Sequence, residues 1–198
     1  RERWIVYDAQ RVSHTPLPKI CVPKLNSHPR TPYVGQDVTV VIGLTTHTNM
    51  WWVPNAVAAV RLVDECASVT VLCDMPQCDL SSVKVPDGVS VVHCSDGLVK
   101  EKWYKKAFLC VHMGQGEDDL ALVDMIGHGV PVVVNRNAHH ISLLGREYPL
   151  FAIRPDVQSI RACIKRAVSD ADVYTQAVMC IRELQATSYS KDSAATQI

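Results

Sequence analysis

Hydrophobic residues recur in six short runs, and polar or amphipathic stretches separate these runs. The runs, which are rich in Val, Ile and other apolar residues, span 38–42, 69–73, 89–93, 108–113, 132–134 and 150–153. Continuous apolar runs of this length are typical of parallel strands buried on both faces. Helical patterns cover 54–66, 98–107, 120–128, 156–170 and 172–187, and 136–145 has room for a helical turn. The alternation predicts an α/β fold, with a doubly wound, mostly parallel, six-stranded Rossmann-like sheet and helices on both faces.

The clearest unit of this pattern runs from 108 to 135 and has strand, turn, helix and strand in succession. Asp118 or Asp119 can cap the helix, whose inner positions are predicted to be Leu120, Val123, Met125 and Ile126. Gly129 is expected to end the helix in the left-handed conformation, before Pro131. The glycine turn at 114–116 places backbone N–H groups at the carboxyl edge of the sheet, where open α/β proteins bind ligands. We expect the first and fourth strands to be neighbours at this edge.

The first 37 residues differ from the rest because they hold five of the prolines, at 16, 18, 23, 29 and 32. Proline at this density favours a linker or an extended arm. The predicted organisation is therefore an arm at 1–37, a Rossmann-like domain at 38–170, and a closing helix with a polar tail at 171–198. The chain starts without Met, which suggests a piece of a longer protein.

Composition supports a folded core and excludes several functional classes. Hydrophobic residues make up 47% of the chain, and the 20 basic and 20 acidic residues cancel. Such a balance argues against global disorder and gives no electrostatic support to a nucleic-acid partner. No apolar run has the length of a membrane span and no signal peptide is recognisable, so neither is expected.

The eight cysteines do not show the spacing of a zinc or redox site, because C-x-x-C is absent. Cys73, Cys94 and Cys110 lie in or at the ends of predicted strands, and three others, Cys66, Cys163 and Cys180, fall on predicted helices. We expect reduced cysteines that pack as small apolar residues, and hence a cytoplasmic location.

Motifs for common cofactors are weak or missing. Gly114-x-Gly116 begins like a dinucleotide fingerprint, but Asp119 holds the third glycine position and the turn after the first strand has only Gly43. An NAD-binding protein is therefore disfavoured. Walker, G-x-S-x-G and H-E-x-x-H motifs are absent. His139 and His140 are adjacent, so their side chains diverge, and loop histidines are a better interpretation than metal ligands.

One resemblance is specific, and residues 116–133 carry it. They read Gly116-Glu-Asp-Asp-Leu-Ala-Leu-Val-Asp124-Met-Ile-Gly-His-Gly129-Val-Pro131-Val-Val. This segment resembles the donor-binding half of GT-B-type glycosyltransferases, especially the retaining family 4 group, with its pattern E-G-F-G-L-P-x-x-E-A-M-A-x-G-x-P-V-V. Asp124 falls on the second glutamate of that pattern. Segments 19–30, 49–61, 102–107 and 156–187 are similar to the linker strand, first helix, pre-strand helix and closing helices of that group.

The resemblance implies the donor-binding domain of an enzyme that moves a hexose from a UDP- or GDP-sugar to an acceptor, with no metal or other cofactor. A partner is implied as well, either an N-terminal Rossmann domain or a separate subunit. Asp124 would accept hydrogen bonds from the ribose hydroxyls, and Glu117 would be the catalytic residue. The other nucleotide-sugar-binding positions implied are Gly43, Thr45, His93, Gly114, Gln115, Gly116, Asp118, Asp119 and Leu120.

Departures from the family pattern leave two alternatives open. The first glutamate of the pattern falls on Gly116, and the basic residues that neutralise the diphosphate fall near Leu44 and Asn49. Nearby cationic candidates are His47, Arg136 and His139. One alternative is a degenerate GT-B-like domain that acts as a non-catalytic interaction module, for which an exposed Trp51-Trp52 pair would supply a partner surface. The other is the nucleotide-binding domain of an epimerase relative.

Overall fold

The computed structural model describes residues 39–44, 50–73, 85–94, 97–114 and 120–188. Its strands are β1 (Thr39–Leu44), β2 (Ser68–Cys73), β3 (Ser90–His93), β4 (Leu109–His112), β5 (Val132–Asn135) and β6 (Phe151–Ala152). They form one six-stranded sheet in the order β3-β2-β1-β4-β5-β6. Every pairing is parallel. The predicted fold and the predicted contact between the first and fourth strands are both confirmed.

In the described ranges, six α-helices connect or follow the strands. They are α1 (Val53–Arg61), α2 (Gly97–Lys106), α3 (Leu120–Gly127), α4 (Ala138–Leu144), α5 (Val157–Ser169) and α6 (Ala171–Ser188), and a 3-10 turn at Met50–Trp52 precedes α1. From β1 to β3 the chain moves in one direction across the sheet, and from β4 to β6 it moves in the other. Because parallel crossovers are right-handed, this reversal places helices on both faces.

Helix α1 ends earlier than predicted, at Arg61 instead of near residue 66. The Arg61 guanidinium donates to the carbonyl oxygens of Ala67 at 3.1 Å and Gly88 at 3.1 Å, and so holds the turn that follows the helix. Cys66 therefore lies in an exposed turn and not on a helix. The segment 136–145, in contrast, is more helical than predicted. It contains the two-turn helix α4, where the sequence indicated room for one helical turn.

The inner face of α3 agrees with the prediction only in part, because Met125 and Ile126 are buried as predicted and the other two predicted residues are not. Its buried residues are Ala121, Leu122, Met125, Ile126 and Gly127, whereas Leu120 is exposed and Val123 is half-buried. Gly43 of β1 explains this choice, because a Cβ at Gly43 would overlap the Met125 methyl group. The helix end agrees with the prediction: Gly129 has a φ of 69°, in the left-handed region.

Cys73, Cys94 and Cys110 are buried, and none of them is in a disulfide within the described part of the chain, as predicted. Cys163 on α5 is also buried, and Cys180 on α6 is half-buried. Desolvation by burial raises the pKa of Cys163 to about 11, and raises that of Cys180 as well. In the part of the chain that the structure describes, no helix combines the length and apolarity needed to cross a bilayer.

We expect a thiol reagent at pH 8 to label Cys66 quickly, because its side chain is exposed. Cys73, Cys94, Cys110 and Cys163 should react slowly, since burial blocks access, and a pKa of about 11 also leaves Cys163 with little thiolate. Peptide mapping by mass spectrometry after timed labelling measures each site. Unfolding in denaturant is the control, and it should bring all sites to similar rates. Native labelling of the strand cysteines as fast as Cys66 would contradict their burial.

Candidate functional site

The candidate site lies at the carboxyl edge of the sheet, between β1 and β4. Strand order reverses at this pair, which makes it the topological switch point of the sheet, and open α/β proteins bind ligands outside the strand ends at such a point. Gly43 is the penultimate residue of β1, and Gly114 follows β4 by two residues. Both glycines are buried. Because these two residues have no side chain, the centre of the edge consists of glycine backbone. Side chains from the neighbouring strand ends surround it.

Two buried histidines fix this edge. Nδ1 of His112 lies 3.1 Å from the Gly43 carbonyl oxygen, and Nδ1 of His140 lies 2.7 Å from the Asn135 carbonyl oxygen. A carbonyl oxygen can only accept, so in each ring Nδ1 carries the hydrogen. The backbone pairing of β1 with β4 ends at Ile42 and Val111. The His112 ring thus joins the two strands one residue beyond their ladder.

An aromatic row of Trp52, His112, His140 and His139 crosses the ends of the strands. Successive ring centroids are 5.9, 6.4 and 5.6 Å apart. The row corrects two expectations. Trp52 is buried while Trp51 is exposed, so the two tryptophans do not form an exposed pair. The two histidines belong to α4 and not to a loop, and His140 is fully buried.

Among the buried polar atoms at this row, Nε1 of Trp52 and Oδ1 of Asn135 have no hydrogen-bond partner within the described residues. The indole N–H is a donor and the amide oxygen is an acceptor. Buried groups of this kind are normally satisfied by water or by a ligand. No group of three or more His, Cys, Asp or Glu side chains within the described ranges is arranged to hold a metal ion.

Asp124 lies in the second turn of α3 and forms an ion pair across to α2. Its Oδ2 is 2.9 Å from Nζ of Lys100, and the Asp124 and Lys100 side chains keep 37% and 17% of their surface exposed, respectively. The Asp124 carbonyl oxygen accepts from Nδ1 of His128 at 2.7 Å. The sequence pattern did not identify Lys100, because it is 24 residues away on another helix. The carboxylate is thus partly exposed and already held by one cation.

The predicted site residues fall into three groups. Gly43, Gly114, Leu120 and Asp124 lie on β1, after β4 and on α3, around the same edge. His93 ends β3, is exposed, and is separated from β1 by β2. The others lie outside the described residues: Thr45, Gln115, Gly116, Glu117, Asp118 and Asp119.

Comparison with known proteins identifies the fold but no family. No protein-family model matches the sequence, and no curated protein matches it. Solved structures do match. One is a mutant of S. aureus TarM in complex with Fondaparinux, alpha-GlcNAc-glycerol and UDP, with 11% identity and a TM-score of 0.62 over 85% of this chain and 36% of that one.

Two other solved structures are also similar to this chain in fold. The C-terminal domain of a glycosyl transferase group 1 family protein (LpcC) from Francisella tularensis has 11% identity and a TM-score of 0.59, over 78% of this chain and 87% of that one. A UDP-GlcNAc 2-epimerase from Neisseria meningitidis bound to UDP-GlcNAc has 8% identity and a TM-score of 0.57, over 82% of this chain and 45% of that one. The chain thus has a GT-B-like fold and spans less than half of the TarM and epimerase chains.

Proposed function

We propose that this chain is the donor-binding domain of a glycosyltransferase that moves a hexose from a UDP-sugar to an acceptor. The observation that carries the proposal is the position of Asp124. It lies on the helix that starts at the switch point, about one turn of ~5.4 Å into that helix. A carboxylate at this depth can accept from ribose hydroxyls while the diphosphate lies at the start of the helix, after Gly114. Structural neighbours that bind UDP or UDP-GlcNAc support the choice of a uridine nucleotide.

In this proposal the chemistry is substitution at the anomeric carbon, with retention as in the family 4 group. The backbone N–H groups after Gly114 and the amino end of α3 stabilise the leaving diphosphate, so no metal is required. Glu117 is the proposed catalytic residue. The acceptor and the domain that binds it are assigned to a second Rossmann domain or to a partner subunit.

An apolar rim around the same edge supports a partner. It consists of Trp51, Leu98, Leu120 and Ile153, each of which is more than half exposed. Trp51 lies just before α1, Leu98 and Leu120 lie at the start of α2 and α3, and Ile153 directly follows β6. Each of the four therefore follows a strand. The four side chains are spread along the edge from β3 to β6, so a partner that covers the whole edge would bury all of them. The rim also favours the second candidate function, a non-catalytic interaction module.

Calorimetric titration of the whole chain with UDP, GDP and ADP separates these two functions. The proposal expects one-site binding of UDP with a dissociation constant below the millimolar range, and weaker binding of GDP and ADP. The third hypothesis, an epimerase relative, expects the same preference for UDP and is distinguished by conversion of the sugar when the missing half is supplied. If no nucleotide binds at millimolar concentration, the interaction module becomes the better assignment.

A further inference from the structure

Two side-chain contacts, one helical turn apart, join α2 to α3. Nζ of Lys100 lies 2.9 Å from Oδ2 of Asp124, and the Tyr104 ring packs on the His128 ring with centroids 4.9 Å apart. In each helix the two residues are four positions apart, so they lie on one face. Because α2 follows β3 and α3 follows β4, both helices start at the carboxyl edge, and the Lys100–Asp124 contact is the one nearer to it.

Asp124 is held through its side chain and through its backbone. Its Oδ2 accepts a hydrogen bond from Lys100, and its carbonyl oxygen accepts one from Nδ1 of His128 at 2.7 Å. His128 in turn packs on Tyr104, which is buried, and the Tyr104 hydroxyl oxygen lies 3.5 Å from the position that a Cβ on Gly43 would take. The carboxylate therefore belongs to a helical turn that is packed against the end of β1.

The two members of the ion pair differ in exposure. The Lys100 side chain keeps 17% of its surface exposed and the Asp124 side chain 37%, so the ammonium group is the more covered partner. Within the described residues, the bond from Lys100 to Oδ2 is the one hydrogen bond that this carboxylate accepts. A carboxylate has about four lone-pair sites. The ion pair thus fixes the orientation of the carboxylate and leaves acceptor positions open to a ligand.

This arrangement affects ligand affinity more than it affects stability. A partly exposed ion pair contributes little to the free energy of unfolding. A ligand that binds a mobile side chain must order it, and that cost lowers the affinity. When the carboxylate is already held, the cost is absent, and for one side chain the difference corresponds to about threefold in affinity.

We infer that Lys100 is a positioning residue, which holds the Asp124 carboxylate in the orientation that accepts from a ribose diol. It thereby makes the site selective for ribonucleotides over 2′-deoxyribonucleotides. This inference rests on the proposed function, because it requires a ribose at Asp124. The class of ligand is a uridine ribonucleotide, and the part recognised is the pair of ribose hydroxyls. Lys100 acts on the ligand through Asp124 and does not contact it.

The test compares UDP with 2′-deoxy-UDP in calorimetric titrations of the full chain. The wild type is expected to bind UDP about tenfold more tightly, as for one hydrogen bond to a charged group. Lys100→Met should weaken UDP binding about threefold and leave the binding of 2′-deoxy-UDP nearly unchanged, so that the selectivity falls to about threefold. Lys100→Arg should restore most of the selectivity, because a guanidinium also donates to a carboxylate.

Two further variants complete the test. Lys105→Met is the matched control, since it makes the same substitution on the same helix and also breaks an ion pair, that with Glu101. It should keep the affinity and the selectivity of the wild type. Asp124→Ala removes the carboxylate itself and should lose the selectivity altogether. Circular dichroism verifies that each variant is folded.

Three results would overturn the inference, and they have different meanings. If Lys100→Met keeps the full selectivity while Asp124→Ala loses it, the proposed ribose contact stands and Lys100 does not position it. If Lys100→Met weakens UDP and 2′-deoxy-UDP equally, the role of Lys100 is structural only. If the wild type binds the two ligands equally, or binds neither, the proposed ribose contact fails and this inference fails with it.

Discussion

Asp124→Ala is expected to weaken UDP binding at least tenfold while the sheet and helices stay intact. Hydrogen bonds to a charged acceptor contribute roughly 1.5–3 kcal/mol, and the proposed ribose contact uses this carboxylate for two hydroxyls. Each carboxylate oxygen can accept more than one hydrogen bond, so Asp124 can accept from the ribose hydroxyls although its Oδ2 already accepts from Lys100 at 2.9 Å. Calorimetry gives the affinities, and circular dichroism verifies the fold. Asp124→Asn should lose less, because one acceptor oxygen survives.

The ion pair requires a control, because Asp124→Ala also leaves Lys100 without this partner. Lys100→Met removes the same ion pair but keeps the carboxylate. It should therefore retain much more UDP affinity than Asp124→Ala, with a similar change in melting temperature. Equal losses of affinity in the two variants would show that the ion pair, and not a ribose contact, matters at this position. Wild-type affinity in Asp124→Ala would remove Asp124 from the site.

Tyr148→Phe is expected to lower the free energy of unfolding by about 2–4 kcal/mol, the largest effect on stability that we predict. The Tyr148 hydroxyl donates to the Val132 carbonyl oxygen at 2.8 Å and accepts from the Val132 N–H at 2.9 Å. Further along β5, Val134 and Arg136 donate to the backbone of Leu150 and Ala152 instead. The hydroxyl thus serves Val132 as the hydrogen-bond partner that the backbone of β6 supplies further along β5. Its loss leaves two buried backbone groups unsatisfied, at roughly 1–3 kcal/mol each.

Denaturant unfolding measures this effect, and Ser169→Ala is the matched control. The Ser169 hydroxyl also donates to a backbone carbonyl, that of Lys165 at 2.8 Å, but on an exposed surface where water can replace it. We expect a change of less than about 0.5 kcal/mol for that variant. Burial holds the pKa of Tyr148 far above its ordinary value, so the hydroxyl stays protonated and the effect should be constant across the neutral range. A loss as small as that of Ser169→Ala would contradict the role of the hydroxyl.

Much of the fold could be predicted because its signals are local. Strands buried on both faces must be apolar at successive positions, and the six runs have this pattern. Right-handed crossovers then leave few strand orders, which is why the β1–β4 contact was predictable. Gly129 carried its own signal, since only glycine readily adopts the left-handed conformation at a helix end. The position of Asp124 on α3 followed from the same helical pattern.

Side-chain contacts between distant segments were not predictable, because periodicity does not specify which neighbour a face meets. The pattern of α3 offered Leu120 and Met125 alike as inner residues, and packing against Gly43 buries Met125 while Leu120 is exposed. Trp51 and Trp52 are chemically identical, yet only Trp52 points into the core, against His112. The Lys100–Asp124 pair likewise depends on how two helices pack side by side. Local residue patterns therefore specify the sheet and the edge that carries the candidate site, whereas packing between distant segments selects which side chains are buried there and which are paired.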